Sequence, residues 1–213
     1  YFNPNFKKAL MIGGGGYSYP KDFLRKYPLA TIDVVEIDPV TTQLARKYFN
    51  LKENPRLKIF HEDGRVYLNK TKKIYDVIIN DAYTSKYSIP YQLTTIESIR
   101  NQYNILSDNG VVVVNIISSI EGDKGQFIRA EYATYKSVFP QVYLFPVDDE
   151  RDGSLAQNVI LAALKSDVKP DFRSADVNFK NYLRKLWKNE VVTDMPILTD
   201  DYAPVDYYIN KII

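Results

Sequence analysis

Acidic side chains follow three of the predicted strands, at the point where each strand ends. Glu36 ends the second strand, Asp63 comes just after the third, and Asp81 ends the fourth. Because the carboxyl ends of parallel strands meet at one edge of a sheet, we expect these carboxylates to lie around one ligand pocket. One carboxylate can accept both hydroxyl groups of a ribose, and a second can accept the exocyclic amine of adenine. Such acids also occur as plain helix caps, and for Asp63 taken alone capping explains the residue equally well.

A glycine turn follows the first apolar strand and precedes a helix; its residues are Gly13, Gly14, Gly15 and Gly16. Glycine adopts positive φ without strain and lets a ligand touch the backbone, so this arrangement is typical of nucleotide-type pockets. A plain tight turn is the alternative. A phosphate-bearing ligand fits less well, because Ser18 stands in the third place of the Gly-x-Gly-x-x-Gly pattern and no P-loop lysine follows. Carboxylates repel phosphates but suit a cation, such as an adenosyl sulfonium.

The elements that must position these residues alternate between short apolar strands and helical patterns. The strands are predicted near residues 7–12, 31–37, 56–60, 75–80, 111–115, 142–145 and 158–164, with a turn at residues 108–110. A strand about every 25–30 residues with a helix between predicts βαβ units. We therefore expect a doubly wound, mostly parallel α/β sheet with helices on both faces, Rossmann-like, with residues 1–213 forming a single domain.

Composition excludes several classes of function. The 213 residues have a formal net charge of +2, no cysteine and one histidine. Binding of nucleic acid through bulk charge, a thiolate or histidine-cluster metal site, and a cysteine nucleophile are therefore not expected. No run approaches the length of a membrane span, so we expect no membrane contact by this domain itself. Because the chain starts at Tyr1 rather than Met, we expect a domain excised from a longer protein. The expected location is cytoplasmic, alone or as the cytoplasmic domain of a membrane-anchored parent, and a homodimer is an open expectation.

Four segments together resemble the spermidine synthase (aminopropyltransferase) family, specifically the bacterial spermidine synthase-like proteins. They are Leu10–Gly16, Val35–Pro39, Asp63–Arg65 and Tyr75–Tyr83, and the C-terminal segment 198–205 resembles the same bacterial proteins. The resemblance implies the class I S-adenosylmethionine-dependent methyltransferase fold. It also implies a reaction in which an amine displaces methylthioadenosine from decarboxylated S-adenosylmethionine, with no metal.

The resemblance also implies roles for individual residues. Glu36, with Ile37 beside it, would hold the ribose hydroxyls, and Asp63 with Gly64 would hold the adenine. Asp81 would be the catalytic acid residue that accepts a proton from the attacking amine or orients it, besides contacting the cofactor. The glycine turn completes the cofactor site.

Substrate contacts are expected from a second set of residues, namely Tyr17, Tyr83, Asp201 and Tyr202. The substrate itself would be a small-molecule amine.

Three departures from the family pattern concern amine binding. Gly16 and Thr84 stand where the family usually has acids, and the small N-terminal β-domain of that family is absent from this chain. Both missing carboxylates are expected to bind amine groups. We therefore expect weak or altered amine specificity, and admission of ordinary S-adenosylmethionine with its carboxylate.

Three other functions remain open on the sequence. A small-molecule methyltransferase would use the same pocket and attack a different carbon on sulfur. A non-catalytic nucleoside-binding domain of a membrane-tethered protein is favoured by Gly16 and Thr84. A nicotinamide dehydrogenase is a remote possibility, weakened by Ser18.

Overall fold

The computed structural model describes residues 1–82 and 89–212, which contain seven strands and seven α-helices. The strands are β1 (Lys8–Ile12), β2 (Thr31–Val35), β3 (Leu57–Phe60), β4 (Tyr75–Asn80), β5 (Leu106–Ser118), β6 (Gln141–Pro146) and β7 (Gln157–Leu164). The helices are α1 (Ser18–Lys26), α2 (Pro39–Tyr48), α3 (Gly64–Lys70), α4 (Ile96–Asn104), α5 (Gln126–Lys136), α6 (Val177–Arg184) and α7 (Val205–Ile209).

The strands form one sheet in the order β3-β2-β1-β4-β5-β7-β6. The first five are parallel and β7 is antiparallel to both of its neighbours, which confirms the prediction of a doubly wound, mostly parallel sheet. Ile12 pairs with both Val35 and Asn80, so β1, β2 and β4 end at the same level. The strand order reverses between β1 and β4, and ligands of such sheets bind beyond the strand ends at this reversal.

The central strands are buried on both faces of the sheet. In β1, Leu10 and Ile12 belong to one apolar cluster, while Ala9 and Met11 belong to the cluster on the opposite face. Successive side chains of a strand point to opposite faces, so burial on both sides requires an unbroken apolar run such as residues 9–12. This packing gives the strand ends, and whatever follows them, a rigid support.

The start of β5 differs from the prediction. Residues 108–110 were expected to form a turn ahead of a strand, but they lie inside β5, where its register against β4 shifts between Tyr75 and Val77. Ser107 Oγ donates to Asp76 Oδ1 at 2.8 Å and connects this irregular stretch to β4. The turn-forming residues are thus accommodated as a bulge within a longer strand.

The helices are short, and the longest α-helix in the described ranges, α5, has 11 residues. Nowhere within residues 1–82 and 89–212 does a helix combine the length and apolar character that crossing a bilayer demands. The C-terminal helix α7 was not predicted.

Glu131 on α5 is a buried acid with an unsatisfied oxygen. Its side chain is 1% exposed, and Oε1 has no hydrogen-bond partner in the described part of the chain. Burial raises the pKa of Glu131 well above its ordinary value. Below the unfolded pKa of 4.5 the group is neutral in both states, so its ionisation does not change the free energy of unfolding. Above it, only the unfolded chain ionises freely, so folding stability falls by up to about 1.4 kcal/mol for each pH unit until the folded pKa is reached.

We therefore expect Glu131→Gln to raise the melting temperature more at pH 8 than at pH 5, because the glutamine does not ionise in either state. Thermal unfolding of both proteins at the two pH values measures this. An equal difference at both pH values would contradict a raised pKa at Glu131.

Candidate active site

The glycine turn connects β1 to α1, and its first residue lies against the end of β4. Gly13 has φ +94°, and its N–H donates to the Val35 carbonyl oxygen at 2.8 Å. A Cβ built on Gly13 would lie 2.4 Å from the Asp81 carbonyl oxygen. Only glycine allows this approach, which brings the turn and Asp81 to the same edge of the sheet.

Tyr17 lies beneath the glycine turn and is fully buried. Its backbone is left-handed (φ 54°), and a Cβ on Gly14 would lie 2.7 Å from its ring. Its hydroxyl lies 2.7 Å from Thr42 Oγ1, which in turn lies 3.0 Å from His61 Nε2. This location does not fit the predicted contact with the substrate: Tyr17 supports the turn from the core and does not line the cavity described below.

Glu36 follows β2 and holds the glycine turn. Oε2 accepts hydrogen bonds from Gly14 N–H at 2.8 Å and Gly15 N–H at 3.2 Å, and Oε1 accepts from Asp38 N–H at 3.0 Å. The side chain is buried and its orientation is fixed by these donors. A carboxylate has about four acceptor positions, so capacity for a ligand hydroxyl remains. The cap of α2 is Asp38, which accepts from Val40 N–H.

Asp63 combines the two roles that the sequence left open. Its Oδ1 accepts from Val66 N–H at 3.0 Å and caps α3, while Oδ2 lies 3.5 Å from Gln92 Nε2. The residue also lines the cavity, together with Gly64. A Cβ on Gly64 would lie 2.6 Å from Ile12 Cγ2, so glycine allows α3 to begin against the end of β1.

Asp81 follows β4 and is exposed. Its backbone N–H donates to the Ile12 carbonyl oxygen at 3.0 Å, which fixes the main chain beside the glycine turn. Asn115 Nδ2 of β5 donates to Asp81 Oδ1 at a long 3.4 Å. The carboxylate is therefore well placed but only weakly engaged by the described residues.

One cavity of about 600 Å³ joins these features at the strand ends. Four carboxylates line it: Glu36, Asp63, Asp81 and Asp206. The other lining residues are apolar, glycine or uncharged polar: Ile12, Gly13, Gly15, Val35, Ile37, Thr41, Gly64, Ala82, Ile89, Pro90, Tyr91, Gln92 and Leu93. Within the described residues no lysine, arginine or histidine lines it. Apolar walls with carboxylates suit a flat aromatic ring that is attached to a cationic group.

The predicted site residues are only partly brought together. Gly14 and Gly16 belong to the turn without lining the cavity, and Asp201 and Tyr202 are exposed outside it. Tyr83 lies outside the described residues, as does Thr84. Among the residues that are described, no group of three or more His, Cys, Asp or Glu side chains could hold a metal ion.

Sequence reasoning missed Asp206, on the short helix α7. Asp200, in the segment that precedes α7, accepts a bidentate pair of hydrogen bonds from Arg65 of α3, at 3.1 Å and 2.7 Å, and a third from Thr95 Oγ1 at 2.6 Å. These bonds attach the C-terminal segment next to Asp63 and Gly64. The available signal was the spacing of Val205, Tyr208 and Ile209, which is too short a pattern to predict a helix.

Comparison with known proteins identifies the family. The model of the spermine/spermidine synthase domain matches residues 1–147, more than half of the chain. The chain belongs to the spermine/spermidine synthase family. Its sheet order is accordingly that of the class I S-adenosylmethionine-dependent methyltransferase fold, which spermidine synthases share.

Individual relatives agree with this membership. A polyamine aminopropyltransferase of Vibrio vulnificus is 36% identical over 168 residues, which are 78% of this chain and 53% of that protein. The chain thus spans about half the length of such curated relatives. The similar solved structures include the following two. A probable spermidine synthase from Corynebacterium glutamicum has a TM-score of 0.68 at 25% identity, with 87% of this chain and 64% of that one covered. Human Methyltransferase-like protein 13 in complex with SAH has a TM-score of 0.64 at 26% identity, with 88% and 85% covered.

We expect Gly13→Ala to lower the free energy of unfolding by at least about 2 kcal/mol, since a side chain there meets backbone and adopts a strained φ. Gly16→Ala is the matched control: a Cβ at that position lies 3.7 Å or more from Phe49, an ordinary contact, so a change below about 1 kcal/mol is expected. Urea unfolding measures both. Equal losses would contradict the close approach at Gly13.

We expect Asp200→Ala to lower the free energy of unfolding by about 1–3 kcal/mol, because it leaves the largely buried Arg65 without its carboxylate partner. Asp149→Ala removes an exposed pair with Arg151 and should have little effect. Urea unfolding of the two variants measures this. If Asp149→Ala lowered the free energy of unfolding as much as Asp200→Ala, an anchoring role for the Arg65–Asp200 pair would be contradicted.

Proposed function

We propose that this chain provides the aminopropyl-transfer site of an aminopropyltransferase. It would move an aminopropyl group from decarboxylated S-adenosylmethionine to a small-molecule amine and release methylthioadenosine. The observation that supports this most is the cavity at the glycine turn, because four carboxylates and no basic residue line it within the described residues. Both reactants are cations, and such a cavity attracts cations and repels phosphates.

The residues present fit the nucleoside part of such a donor. Glu36, oriented by the turn, would accept the ribose hydroxyls with Ile37 beside it. Asp63 would accept the adenine amine next to Gly64, and the apolar side chains of Ile12, Ile37 and Leu93 would contact the ring. When bound, the sulfonium group supplies an electrophilic methylene carbon and a neutral thioether leaving group.

Asp81 would prepare the acceptor amine. A protonated amine has no lone pair with which to attack, so a carboxylate within hydrogen-bond reach must accept the proton or orient the neutral amine. Asp81 suits this role, because its backbone is fixed against β1 while its carboxylate is exposed to the cavity and only weakly bound.

A small-molecule methyltransferase is the second candidate. Gly16 leaves no acid at that position to repel the carboxylate of ordinary S-adenosylmethionine, and human Methyltransferase-like protein 13 has a similar structure. The two reactions differ in the nucleoside product, which is methylthioadenosine for aminopropyl transfer and S-adenosylhomocysteine for methyl transfer.

The experiment is to incubate the protein with each cofactor and a panel of amines and to identify the nucleoside product by mass. We expect methylthioadenosine from the decarboxylated cofactor, and an Asp81→Asn variant that is slower by about 10²–10⁴-fold while still binding the nucleoside.

Three other results are informative. S-adenosylhomocysteine as the product would identify the methyltransferase, and nucleoside binding without any turnover would favour a non-catalytic binding domain. A fully active Asp81→Asn variant would contradict the role of Asp81.

A further inference from the structure

Two side chains connect the glycine turn to the segment that follows β2. Glu36 accepts from Gly14 N–H and Gly15 N–H at the cavity. In the core, the hydroxyl of Tyr17 lies 2.7 Å from Oγ1 of Thr42, near the start of α2. Tyr17 and Thr42 are 0% and 1% exposed. The turn is therefore attached to this segment by two separate hydrogen-bonded contacts, one at the cavity and one in the core.

Thr42 also connects Tyr17 to the end of a third strand. Its Oγ1 lies 3.0 Å from Nε2 of His61, the residue that follows β3. A threonine hydroxyl has one proton and two lone pairs, so it can accept from Tyr17 and donate to His61 in the tautomer that carries its proton on Nδ1. Each proton of the chain then has an acceptor. One buried hydroxyl thus joins the segments that follow β1, β2 and β3.

The backbone of Tyr17 is strained, and the bond to Thr42 helps to fix it. Its φ of 54° is left-handed, a conformation that costs a residue with a side chain free energy and persists only where surrounding contacts hold it. The ring lies against Gly14, and the hydroxyl is bound to Thr42. Burial raises the pKa of the Tyr17 hydroxyl, and the nearby charge of Glu36 raises it further, so the hydroxyl keeps its proton. A change at Thr42 is therefore expected to reach Gly14 and, through its N–H, Glu36.

We propose that Thr42 is a positioning residue for the ribose of the bound nucleoside. Through Tyr17 it fixes the glycine turn, and the turn fixes the Glu36 carboxylate that would accept the ribose hydroxyls. This rests on the nucleoside site of the proposed function. Thr42 is buried and does not line the cavity, so it acts through Glu36 without touching the nucleoside. Its effect is on the preference of the site for a nucleoside that carries the ribose 2′-hydroxyl.

The test compares methylthioadenosine with its 2′-deoxy derivative, whose affinities for the whole chain are measured calorimetrically. The ratio of the two affinities reports the contact with the 2′-hydroxyl and cancels effects that both ligands share. Thr42→Val keeps the shape and removes the hydroxyl, and should lower this ratio about three- to tenfold, the value of one hydrogen bond. Thr42→Ser keeps the hydroxyl and should retain most of the ratio. In a Glu36→Gln background Thr42→Val should have no further effect, because Thr42 acts through that carboxylate.

Two further variants separate positioning from stability. The double variant Tyr17→Phe, Thr42→Val removes both partners of the bond, so it should be more stable to urea than Thr42→Val alone, in which the Tyr17 hydroxyl is buried without its partner. Its affinity ratio should be equally low. Tyr75→Phe is the control: it removes a buried hydroxyl that is bonded to Asp33 and Tyr67 at the start of β4, the end of that strand away from the cavity. It should leave the ratio unchanged.

An unchanged ratio in Thr42→Val or in the double variant, an equally low ratio in Thr42→Ser or Tyr75→Phe, or a further loss in the Glu36→Gln background would overturn the proposal. A protein that binds neither nucleoside would overturn both this proposal and the proposed function. If the ratio depends on Thr42 as expected, but no methylthioadenosine is formed from the decarboxylated cofactor and amines, the proposed reaction is disproved and the positioning role of Thr42 is supported.

Discussion

The hydrogen bonds between Glu36 and the glycine turn are the constraint on which the site depends. A turn that leads into a helix normally offers its N–H groups to an anionic ligand. Here the protein's own carboxylate occupies two of them, at 2.8 and 3.2 Å, from the end of the neighbouring strand. These two N–H groups therefore have a negatively charged partner within the protein. The charges that face the cavity are those of carboxylates. A glycine turn of a kind that often binds anions is therefore part of a site that suits cations.

The same interaction explains why four acids can share one cavity. Like charges that are close together destabilise a fold unless solvent, partners or a ligand compensate for them. Glu36 is compensated by backbone donors and Asp63 by the N-terminus of α3, while Asp81 and Asp206 are exposed to water. The two compensated acids lie where the nucleoside is proposed to bind, and the two exposed ones keep their charge available to a cationic group.

Most of the sheet and three of the four acids of the cavity could be predicted from the sequence, because buried parallel strands have a simple sequence pattern. Strands buried on both faces require unbroken apolar runs, and acids directly after parallel strands must lie at one edge of the sheet. This reasoning identified Glu36, Asp63 and Asp81.

Three features depended on tertiary structure and were not predictable. Tyr17 is turned into the core by a left-handed backbone that no pattern reveals. Asp206 lies on a five-residue helix whose side is defined only by packing. Residues 108–110 read as a turn but are a bulge, because the pairing of β5 with β4 continues past them.

The affinity of the unmodified protein for a charged and an uncharged form of the same nucleoside tests the central claim most directly. Calorimetric titration with decarboxylated S-adenosylmethionine and with methylthioadenosine compares a dication with its neutral thioether. We expect the dication to bind at least about tenfold more tightly at low salt, with the difference shrinking as ionic strength rises. Equal affinities, or tighter binding of the thioether at every salt concentration, would contradict a site built from carboxylates to bind a cation.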